Sequence, residues 1–403
     1  MKIKFKEEKK MKYDFYVVRD RNNTNSLKWD ISENELPMWV ADMDFQTAPA
    51  IIEALENKVK EGIFGYSVIS EKWNESIVNW WSRRHNFTMK KEWLIFCSGI
   101  VPAVTCAVKR ITNIGDNVLV QTPVYNIFFN SIENHGRHVL ESKLKYDGGQ
   151  YKIDFEDLEQ KLAHPLTTMM ILCNPHNPAG RIWSVKELRK IGELCKKHHV
   201  VILSDEIHCD LTALGKEYVP FASVSEECEQ NSITCLSATK TFNIAGLQTA
   251  IVSIPNEEIR NKMKRGLNSD EVAEPNTFAI DAVVAAFSYG EEWLDELREY
   301  IEENKKIVSN YLQKELPQIK MVCSDATYLL WLDCTDIIGD TAQLCSFIRK
   351  ETGLYLSSGS QYRGNGNRFM RMNIACPKSI LDDGLLRLNQ GVRAYEQWVV
   401  KQC

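Results

Sequence analysis

The stretch Ser237-Ala238-Thr239-Lys240-Thr241-Phe242-Asn243-Ile244-Ala245-Gly246 is the most informative part of this chain. It follows a short apolar run, residues 233–236, that has the composition of a buried strand. Most lysines lie on the surface, because an ammonium group is costly to bury without a partner. A lysine held among hydroxyl residues between a strand and a glycine-bearing turn therefore lies either on a solvated loop or in a reactive site.

Further apolar runs predict several strands like the one before Lys240. They are bounded by turn residues and alternate with amphipathic segments such as 185–198, which is typical of a mostly parallel sheet covered by helices. The runs are residues 118–120, 169–173, 200–203, 233–236 and 250–252. Upstream, residues 47–62 predict a helix with Thr47 as its cap and Gly62 as its end. The middle of the chain therefore predicts an α/β fold.

The C-terminal third mixes helix and strand patterns, which predicts a smaller α+β domain. Helices are expected at 293–316 and 341–351, and strands at 328–332 and 369–374. With 403 residues, the chain exceeds the size at which single cores stop growing. We predict three parts, namely an N-terminal segment 1–48 that packs with the small domain, a large domain 49–288 and a small domain 289–403.

Composition narrows the class of protein. The net charge of −5 shows no basic excess of the kind that nucleic-acid binding needs, and no apolar run has membrane-spanning length. The first ten residues lack the apolar core of a secretory signal, and Met11 is an alternative start. Twelve scattered cysteines without a C-x-x-C pair indicate reduced thiols, so we expect a cytoplasmic protein.

Polar residues collect where the predicted strands end. In open α/β sheets, ligands bind beyond the carboxyl ends of the strands. Lys240 follows one strand, and Ser98-Gly99-Ile100 opens a helix, whose free N–H groups suit a phosphate. The other strand-end motifs are Thr122-Pro123-Val124-Tyr125, Asn174-Pro175-His176-Asn177-Pro178-Ala179-Gly180 and Asp205-Glu206-Ile207-His208.

This set of residues offers what pyridoxal 5′-phosphate requires. Lys240 can bond the cofactor aldehyde, and Asp205 can keep the pyridine nitrogen protonated. Asn177 and His208 can donate to the phenolic oxygen, and Tyr125 can stack on the ring. The candidates for the phosphate are Gly99, Ile100, Ser237 and Thr239.

Each of these residues also has a simpler interpretation. Asp205 could cap a helix, Asn177 could build an Asn-Pro turn, Tyr125 could belong to the core, and His208 could be a partly buried surface residue. A metal site is a sharper alternative, with Asp205, Glu206, His208 and Asp210 as ligands. A metal would leave Lys240 and the Asn-Pro loop unexplained.

At this point the chain resembles the fold-type I pyridoxal phosphate enzymes of the aminotransferase class I and II superfamily. Within it, the chain is similar to the MalY/PatB-type cystathionine β-lyases, which are cysteine-S-conjugate C–S lyases. The matching stretches are Lys28-Trp29-Asp30, Met38-Trp39-Val40-Ala41-Asp42-Met43-Asp44-Phe45, Gly65-Tyr66, Thr122 to Tyr125, Leu172 to Gly180, Ser204 to Asp210, Ser237 to Gly246 and Arg371-Met372-Asn373-Ile374-Ala375-Cys376-Pro377. The first long stretch and the last are typical of the subfamily.

The resemblance implies a large domain with a mostly parallel seven-stranded sheet between helices. It also implies that the residues named above bind pyridoxal phosphate through the contacts described for each of them. It further implies that Lys240 moves the Cα proton and that Arg371 binds the substrate carboxylate, with Asn177 and Val40 beside it. Strand alternation puts Arg371 and Asn373 on one face and Met370 and Met372 on the other. Tyr66 is expected to reach the phosphate in the partner subunit, which implies a homodimer with shared sites.

Some positions depart from the wider superfamily. Gln248 stands where many aminotransferases place an arginine on the phosphate, which favours a lyase over a transaminase. Asn126-Ile127 after Tyr125, and Gln361-Tyr362-Arg363 before the arginine strand, also differ from the relatives. The expected reaction is α,β-elimination on a cysteine thioether such as cystathionine. Two alternatives stay open, an aminotransferase on the same fold and a lyase that also binds a transcription factor.

Overall fold

The computed structural model of the chain describes residues 11–337 and 340–402. Its strands are β1 (Leu36–Pro37), β2 (Leu94–Cys97), β3 (Asn117–Thr122), β4 (His138–Lys143), β5 (Lys145–Asp147), β6 (Gln150–Lys152), β7 (Thr167–Cys173), β8 (Val201–Asp205), β9 (Ser232–Leu236), β10 (Ala250–Ser253), β11 (Lys320–Met321), β12 (Leu329–Asp333), β13 (Leu354–Tyr355), β14 (Ser357–Ser358) and β15 (Phe369–Asn373). The predicted extension before Met11 lies outside the described residues.

The helices cover both faces of the larger sheet and flank the smaller one. They are α1 (Pro49–Glu61), α2 (Glu71–His85), α3 (Ile100–Ile111), α4 (Ile127–Glu133), α5 (Phe155–Leu162), α6 (Val185–Lys197), α7 (Glu226–Gln230), α8 (Ala238–Thr241), α9 (Glu257–Ser269), α10 (Ala279–Tyr289), α11 (Glu291–Glu315), α12 (Thr341–Thr352) and α13 (Lys378–Gln402). None of the helices in the described part of the chain has both the length and the apolar character that crossing a bilayer requires.

The large sheet has seven strands in the order β2-β10-β9-β8-β7-β3-β4. Strand β10 runs antiparallel to β2 and to β9, and every other pairing in the sheet is parallel. Strands β7, β8 and β9 lie in its centre, and nearly every residue of them is buried, as expected for strands covered on both faces. The predicted α/β fold, with a mostly parallel seven-stranded sheet, is confirmed.

A second, antiparallel sheet has the order β11-β12-β15-β14. Arg371 lies in its third strand, opposite Trp331 on one side and Ser357 on the other. Met370 and Met372 point into the core, while Arg371 and Asn373 bond the backbone of residues 39–42, so the predicted alternation is confirmed. The N-terminal strand β1 pairs with β13. The division into parts at 48 and 288 stays a prediction.

The sequence signals for the starts of helices α6 and α1 agree with the structure in the first case and not in the second. Helix α6 begins with a capping box, in which Ser184 and Glu187 satisfy each other's backbone N–H groups, as the polar pattern at 185–198 suggests. The cap predicted for the first helix is wrong, because α1 begins at Pro49 and the residue before it is Ala48, which offers no side-chain oxygen. Proline at the first helical position needs no partner for an N–H group, so this helix starts without a polar cap. Its predicted end at Gly62 is confirmed by a left-handed backbone there.

Candidate active site

A cavity of about 420 Å³ lies beyond the carboxyl ends of the central strands of the large sheet. The stretch 39–45, which we call the strap, lines the cavity with Val40 and Ala41 and is hydrogen-bonded to Arg371 and Asn373 of the second sheet. The predicted site residues that line the cavity are Val40, Gly99, Ile100, Tyr125, Asn177, Asp205, His208, Thr239, Lys240 and Arg371. Ser237 and Tyr66, also predicted for the site, do not line it in this chain.

Lys240 reaches the cavity from α8, a single turn that begins directly after β9. Its Nζ donates a hydrogen bond of 2.7 Å to the backbone carbonyl of Ala41 in the strap. Burial lowers the pKa of this amine below its ordinary value, with a further contribution from Arg371, while Asp42 and Asp205 act in the opposite direction. The amine is therefore held where its neutral, basic form is favoured.

Asp205 lies at the end of β8 and is almost fully buried. Among the described residues, the one hydrogen bond to its carboxyl group comes from the backbone N–H of Ile207, at 3.2 Å. Burial raises the pKa of this carboxyl to about 7, although Ile207 and the charge of Lys240 act against the shift. A buried carboxylate with so little support needs a cationic partner, which a protonated pyridine nitrogen would supply.

Arg371 is buried on β15 and faces the same cavity. Its guanidinium donates to the side-chain oxygen of Asn177 at 3.3 Å and to the carbonyl of Trp39 at 2.9 Å. Its Nε has no hydrogen-bond partner among the described residues. Both acceptors are neutral, so the cation is available to an anionic ligand. The bond to Asn177 also fixes its amide, because the oxygen is engaged and the NH₂ group is left to donate elsewhere.

His208 and Tyr125 form further parts of the cavity wall. Burial, together with the nearby positive charges of Lys240 and Arg371, lowers the pKa of His208 to about 3, so its ring is neutral. Its Nδ1 is buried, and no residue in the described part of the chain forms a hydrogen bond with it. Burial raises the pKa of Tyr125 to about 12, so this ring stays neutral as well. Both side chains present flat, uncharged surfaces with polar atoms to a ligand.

One part of the cavity wall is suited to a phosphate. Helix α3 begins at Ile100, with Gly99 before it, and its first N–H groups border the cavity. Thr239 lies beside them. The hydroxyl of Ser237 is engaged behind this wall, because it donates to the carbonyl of Thr249 at 2.7 Å and lies 2.8 Å from the hydroxyl of Thr239.

These observations together fit pyridoxal phosphate. The cavity presents an amine with a lowered pKa, an unsupported buried carboxyl group and a helix N-terminus. A polar ligand with a cationic ring nitrogen, an aldehyde and a phosphate would satisfy all three groups. Tyr66 lies outside this arrangement, fully exposed on the irregular stretch between α1 and α2.

The four residues considered for a metal do not converge. Glu206 is turned away from Asp205 and bonds the hydroxyls of Ser204 and Tyr218. In the described part of the chain, the one group of three potential ligands is His85, Cys209 and Asp210.

Within this group of three, the carboxylate of Asp210 is already satisfied, because it accepts three hydrogen bonds. They come from Trp80, His85 and Thr241. This arrangement is typical of a satisfied buried carboxylate, so the predicted metal alternative is not supported by the geometry.

Sequence reasoning missed several groups around Lys240. The carbonyl of Ala41 contacts the reactive amine, yet a backbone group has no signature in the sequence. Tyr328 reaches the same carbonyl from the second sheet. Asn243 fixes the strap by bonding the backbone of Met43 and Phe45, and its position three residues after Lys240 was the one available signal.

Comparisons with known proteins identify the family of the chain. The family model "Aminotransferase class I and II" matches residues 33–387. The chain is 44% identical to cystathionine β-lyase PatB of Bacillus subtilis over 93% of its own length and 98% of that protein. It is 30% identical to protein MalY of Escherichia coli, over 95% of this chain and 99% of that one.

A solved structure gives the same result for the fold. Cystalysin of Treponema denticola, which contains a pyridoxal 5′-phosphate cofactor, superposes with a TM-score of 0.92 at 33% identity, covering 95% of this chain and all of that one. The family match spans most of the chain, and the identity to PatB extends over nearly its whole length. The chain therefore belongs to the aminotransferase class I and II family of pyridoxal phosphate-dependent enzymes, in the group that contains PatB and MalY.

Proposed function

We propose that this chain is a C–S β-lyase that acts on cystathionine or a related cysteine thioether. The observation that carries the proposal is the composition of one cavity, which is lined by a basic amine, a buried carboxyl group and a guanidinium with neutral partners. The similarity to PatB favours elimination as the reaction. The products are a thiol (homocysteine in the case of cystathionine), pyruvate and ammonia.

The cofactor would be held by residues from several strand ends. When bound, pyridoxal phosphate supplies an electron sink that stabilises negative charge at the substrate Cα. Lys240 would anchor its aldehyde, Asp205 would pair with its ring nitrogen, and Tyr125 would stack on the ring. Asn177 and His208 would donate to the phenolic oxygen. The phosphate would lie against Gly99, Ile100, Thr239 and Ser237.

Arg371 would orient the substrate. A guanidinium binds a carboxylate with two parallel hydrogen bonds, which fixes the amino acid rather than merely attracting it. Asn177 lies beside this clamp at 3.3 Å, and Val40 lines the cavity above it. Ile127 and Phe128 add apolar wall, which suits the carbon and sulfur atoms of a thioether side chain.

Lys240 would then act on the oriented Cα. Its neutral amine takes the Cα proton, and the electron pair left behind forms the Cα–Cβ double bond as the Cβ–S bond breaks. Sulfur leaves with the electron pair of the broken Cβ–S bond, as a thiolate, and is then protonated. The remaining enamine reacts with water to give pyruvate and ammonia. Burial of the amine assists this step, because a base with a lowered pKa is free to accept a proton near neutral pH.

The proposal extends to assembly and location. The stretch between α1 and α2 exposes Ile63, Phe64, Tyr66 and Val68, which is unusual for a monomer and suits a second copy of the chain. In a homodimer, Tyr66 would complete the phosphate site of the partner subunit. We place the enzyme in the cytoplasm, since ten of the described cysteines are free and buried, a state that a reducing compartment preserves.

Product analysis tests the proposed reaction. The holoenzyme is incubated with cystathionine or S-methylcysteine, with and without a keto acid such as 2-oxoglutarate. We expect equal amounts of thiol and pyruvate, independent of the keto acid. A keto acid that retains the thioether, formed only when the acceptor is present, would show a transaminase instead. Lys240→Ala serves as the control and should release neither product.

A further inference from the structure

The carbonyl of Ala41 receives two hydrogen bonds. One comes from Nζ of Lys240 at 2.7 Å, and the other from the hydroxyl of Tyr328 at 3.1 Å. Tyr328 is almost fully buried, directly before β12 in the second sheet, and does not line the cavity. It therefore touches the reactive lysine only through this shared carbonyl.

The shared carbonyl is fixed in place by its neighbours in the strap. The side-chain NH₂ of Asn373 donates to the carbonyl of Val40 at 2.7 Å and to that of Asp42 at 2.6 Å, on either side of Ala41. With both flanking peptide groups held, the carbonyl of Ala41 cannot turn towards one donor and away from the other. Lys240 and Tyr328 must therefore share one acceptor.

We propose that Tyr328 is a positioning residue. Its hydroxyl orients the carbonyl of Ala41 towards the freed amine of Lys240, and it lowers the affinity of that amine for a proton. A carbonyl oxygen that already accepts one hydrogen bond is a poorer acceptor for a second. The ammonium form of Lys240 depends on this acceptor more than the neutral amine does. The tyrosine hydroxyl thus favours the neutral base, on which the proposed elimination depends.

Burial and the charged groups around Lys240 act on its amine directly and not through its hydrogen-bond acceptor. Asp42 and Asp205 are acidic and favour the ammonium form, whereas Arg371 opposes it. His208 is neutral, since burial holds its pKa at about 3. Burial also raises the pKa of Tyr328, so its hydroxyl keeps its proton and remains a donor throughout the working range. Tyr328 is thus a neutral group that acts on the lysine through hydrogen bonding alone.

The variant Tyr328→Phe tests this inference, because it removes one hydroxyl and keeps the ring packing. We expect the acid limb of the kcat–pH profile to move up by about half a unit to one unit, so that kcat near pH 7 falls about three- to tenfold, the range of one hydrogen bond. The KM should stay unchanged and kcat should recover at higher pH. Tyr395→Phe is the matched control, since its buried hydroxyl bonds Gln343 far from the cavity.

A second measurement does not use catalysis. Cofactor-free chain is mixed with pyridoxal phosphate, and the rate of uptake is followed by absorbance across the same pH range. Uptake requires the neutral amine of Lys240, so its profile should shift upward in Tyr328→Phe and remain in place in Tyr395→Phe. Profiles that coincide with wild type in both experiments would overturn the role of Tyr328 while leaving the proposed function intact. Formation of a keto acid that retains the thioether, only when an acceptor keto acid is present, would instead overturn the proposed function.

Discussion

Asp205 and Lys240 show at the residue scale why this cavity is a site rather than a packing defect. Each group is costly to bury as an ion, and each has its pKa moved by burial towards the neutral form. Neither forms a close ion pair with the other, although they lie in one cavity. Two neighbouring groups whose pKa values are both shifted by burial, and which do not neutralise each other, are characteristic of a ligand-binding site.

The unsupported carboxyl group leads to a stability prediction for the cofactor-free chain. The pKa of Asp205 is about 7 in the folded chain and 3.8 as a reference, so the folded state binds the extra proton between these values. Relative to Asp205→Asn, the wild-type chain should lose roughly 2–3 kcal/mol of unfolding free energy between pH 5 and pH 8. Urea unfolding at the two pH values measures this difference.

Asp340→Asn is the control for that experiment. Hydrogen bonds from Ala342 and Ser360 lower the pKa of the Asp340 carboxyl, so it is ionised at both pH values. Its substitution should change stability equally at pH 5 and pH 8. If wild type and Asp205→Asn keep a constant difference too, the carboxyl of Asp205 is not neutralised by burial.

Residue types predicted much of the cavity, because the chemistry of a strand end depends on side chains that the sequence displays. Asp205, Asn177 and Lys240 follow strands that were recognisable as apolar runs, and all three line the cavity. The choice between neighbouring hydroxyls was not predictable. Thr239 faces the cavity and Ser237 does not, since the side chain of Ser237 caps α8 and bonds Thr249.

At the scale of elements, the strap connects the two halves of the site. It is held by Asn373 from the second sheet and by Asn243 from the turn after Lys240. The strap therefore transmits the position of the arginine strand to the lysine turn. Its sequence pattern was recognisable only through the resemblance, because an extended strap has neither helical nor strand periodicity.

The strap leads to a prediction about Asn373→Ala. Removing its side chain takes one of two hydrogen bonds from each of the carbonyls of Val40 and Asp42, and it leaves the N–H of Ala375 without its acceptor. Stability should therefore fall by about 1–3 kcal/mol. Because the strap carries Val40 and Ala41 into the cavity, kcat/KM for a thioether should also fall, by about tenfold or more. Thermal unfolding and steady-state kinetics give the two values.

Asn304→Ala is the matched control for the strap. Asn304 is equally buried and also donates to two carbonyls, those of Ile374 and Cys376, but it lies away from the cavity. It should lose comparable stability and keep kcat/KM. An equal kinetic loss in both variants would show that the strap has no special part in the site.

Helices were less predictable than strands. Buried parallel strands are continuous apolar runs, which are conspicuous in a polar sequence. Helix α10 was missed because it is apolar on nearly every face and lacks the periodicity of a surface helix. Helix α2 was missed for another reason, since three of its five buried residues are tryptophans within a polar, charged segment.

For the whole molecule, the question is how two chains would combine. The exposed stretch around Tyr66 can be tested by mixing two variant chains, Lys240→Ala and Tyr66→Phe. Each variant alone should have impaired activity. In the mixed dimer, one site has a native Lys240 together with the native Tyr66 of the partner subunit. Random pairing of equal amounts should restore about a quarter of wild-type activity.

The control mixture combines Lys240→Ala with Asp205→Ala. Both residues line the cavity of the same chain, so every site in every dimer remains defective and no activity should return. Failure of the first mixture to regain activity, when exchange of chains has been verified, would show that Tyr66 does not act across subunits.

The assignment of Lys240 as the cofactor anchor is tested most directly by borohydride reduction. The holoenzyme is reduced, digested, and the peptide that retains the pyridoxyl group is sequenced by mass spectrometry. The modified residue should be Lys240, between Thr239 and Thr241, with loss of the cofactor absorbance in proportion. A stable adduct on any other lysine, or none on Lys240, would contradict the site described above.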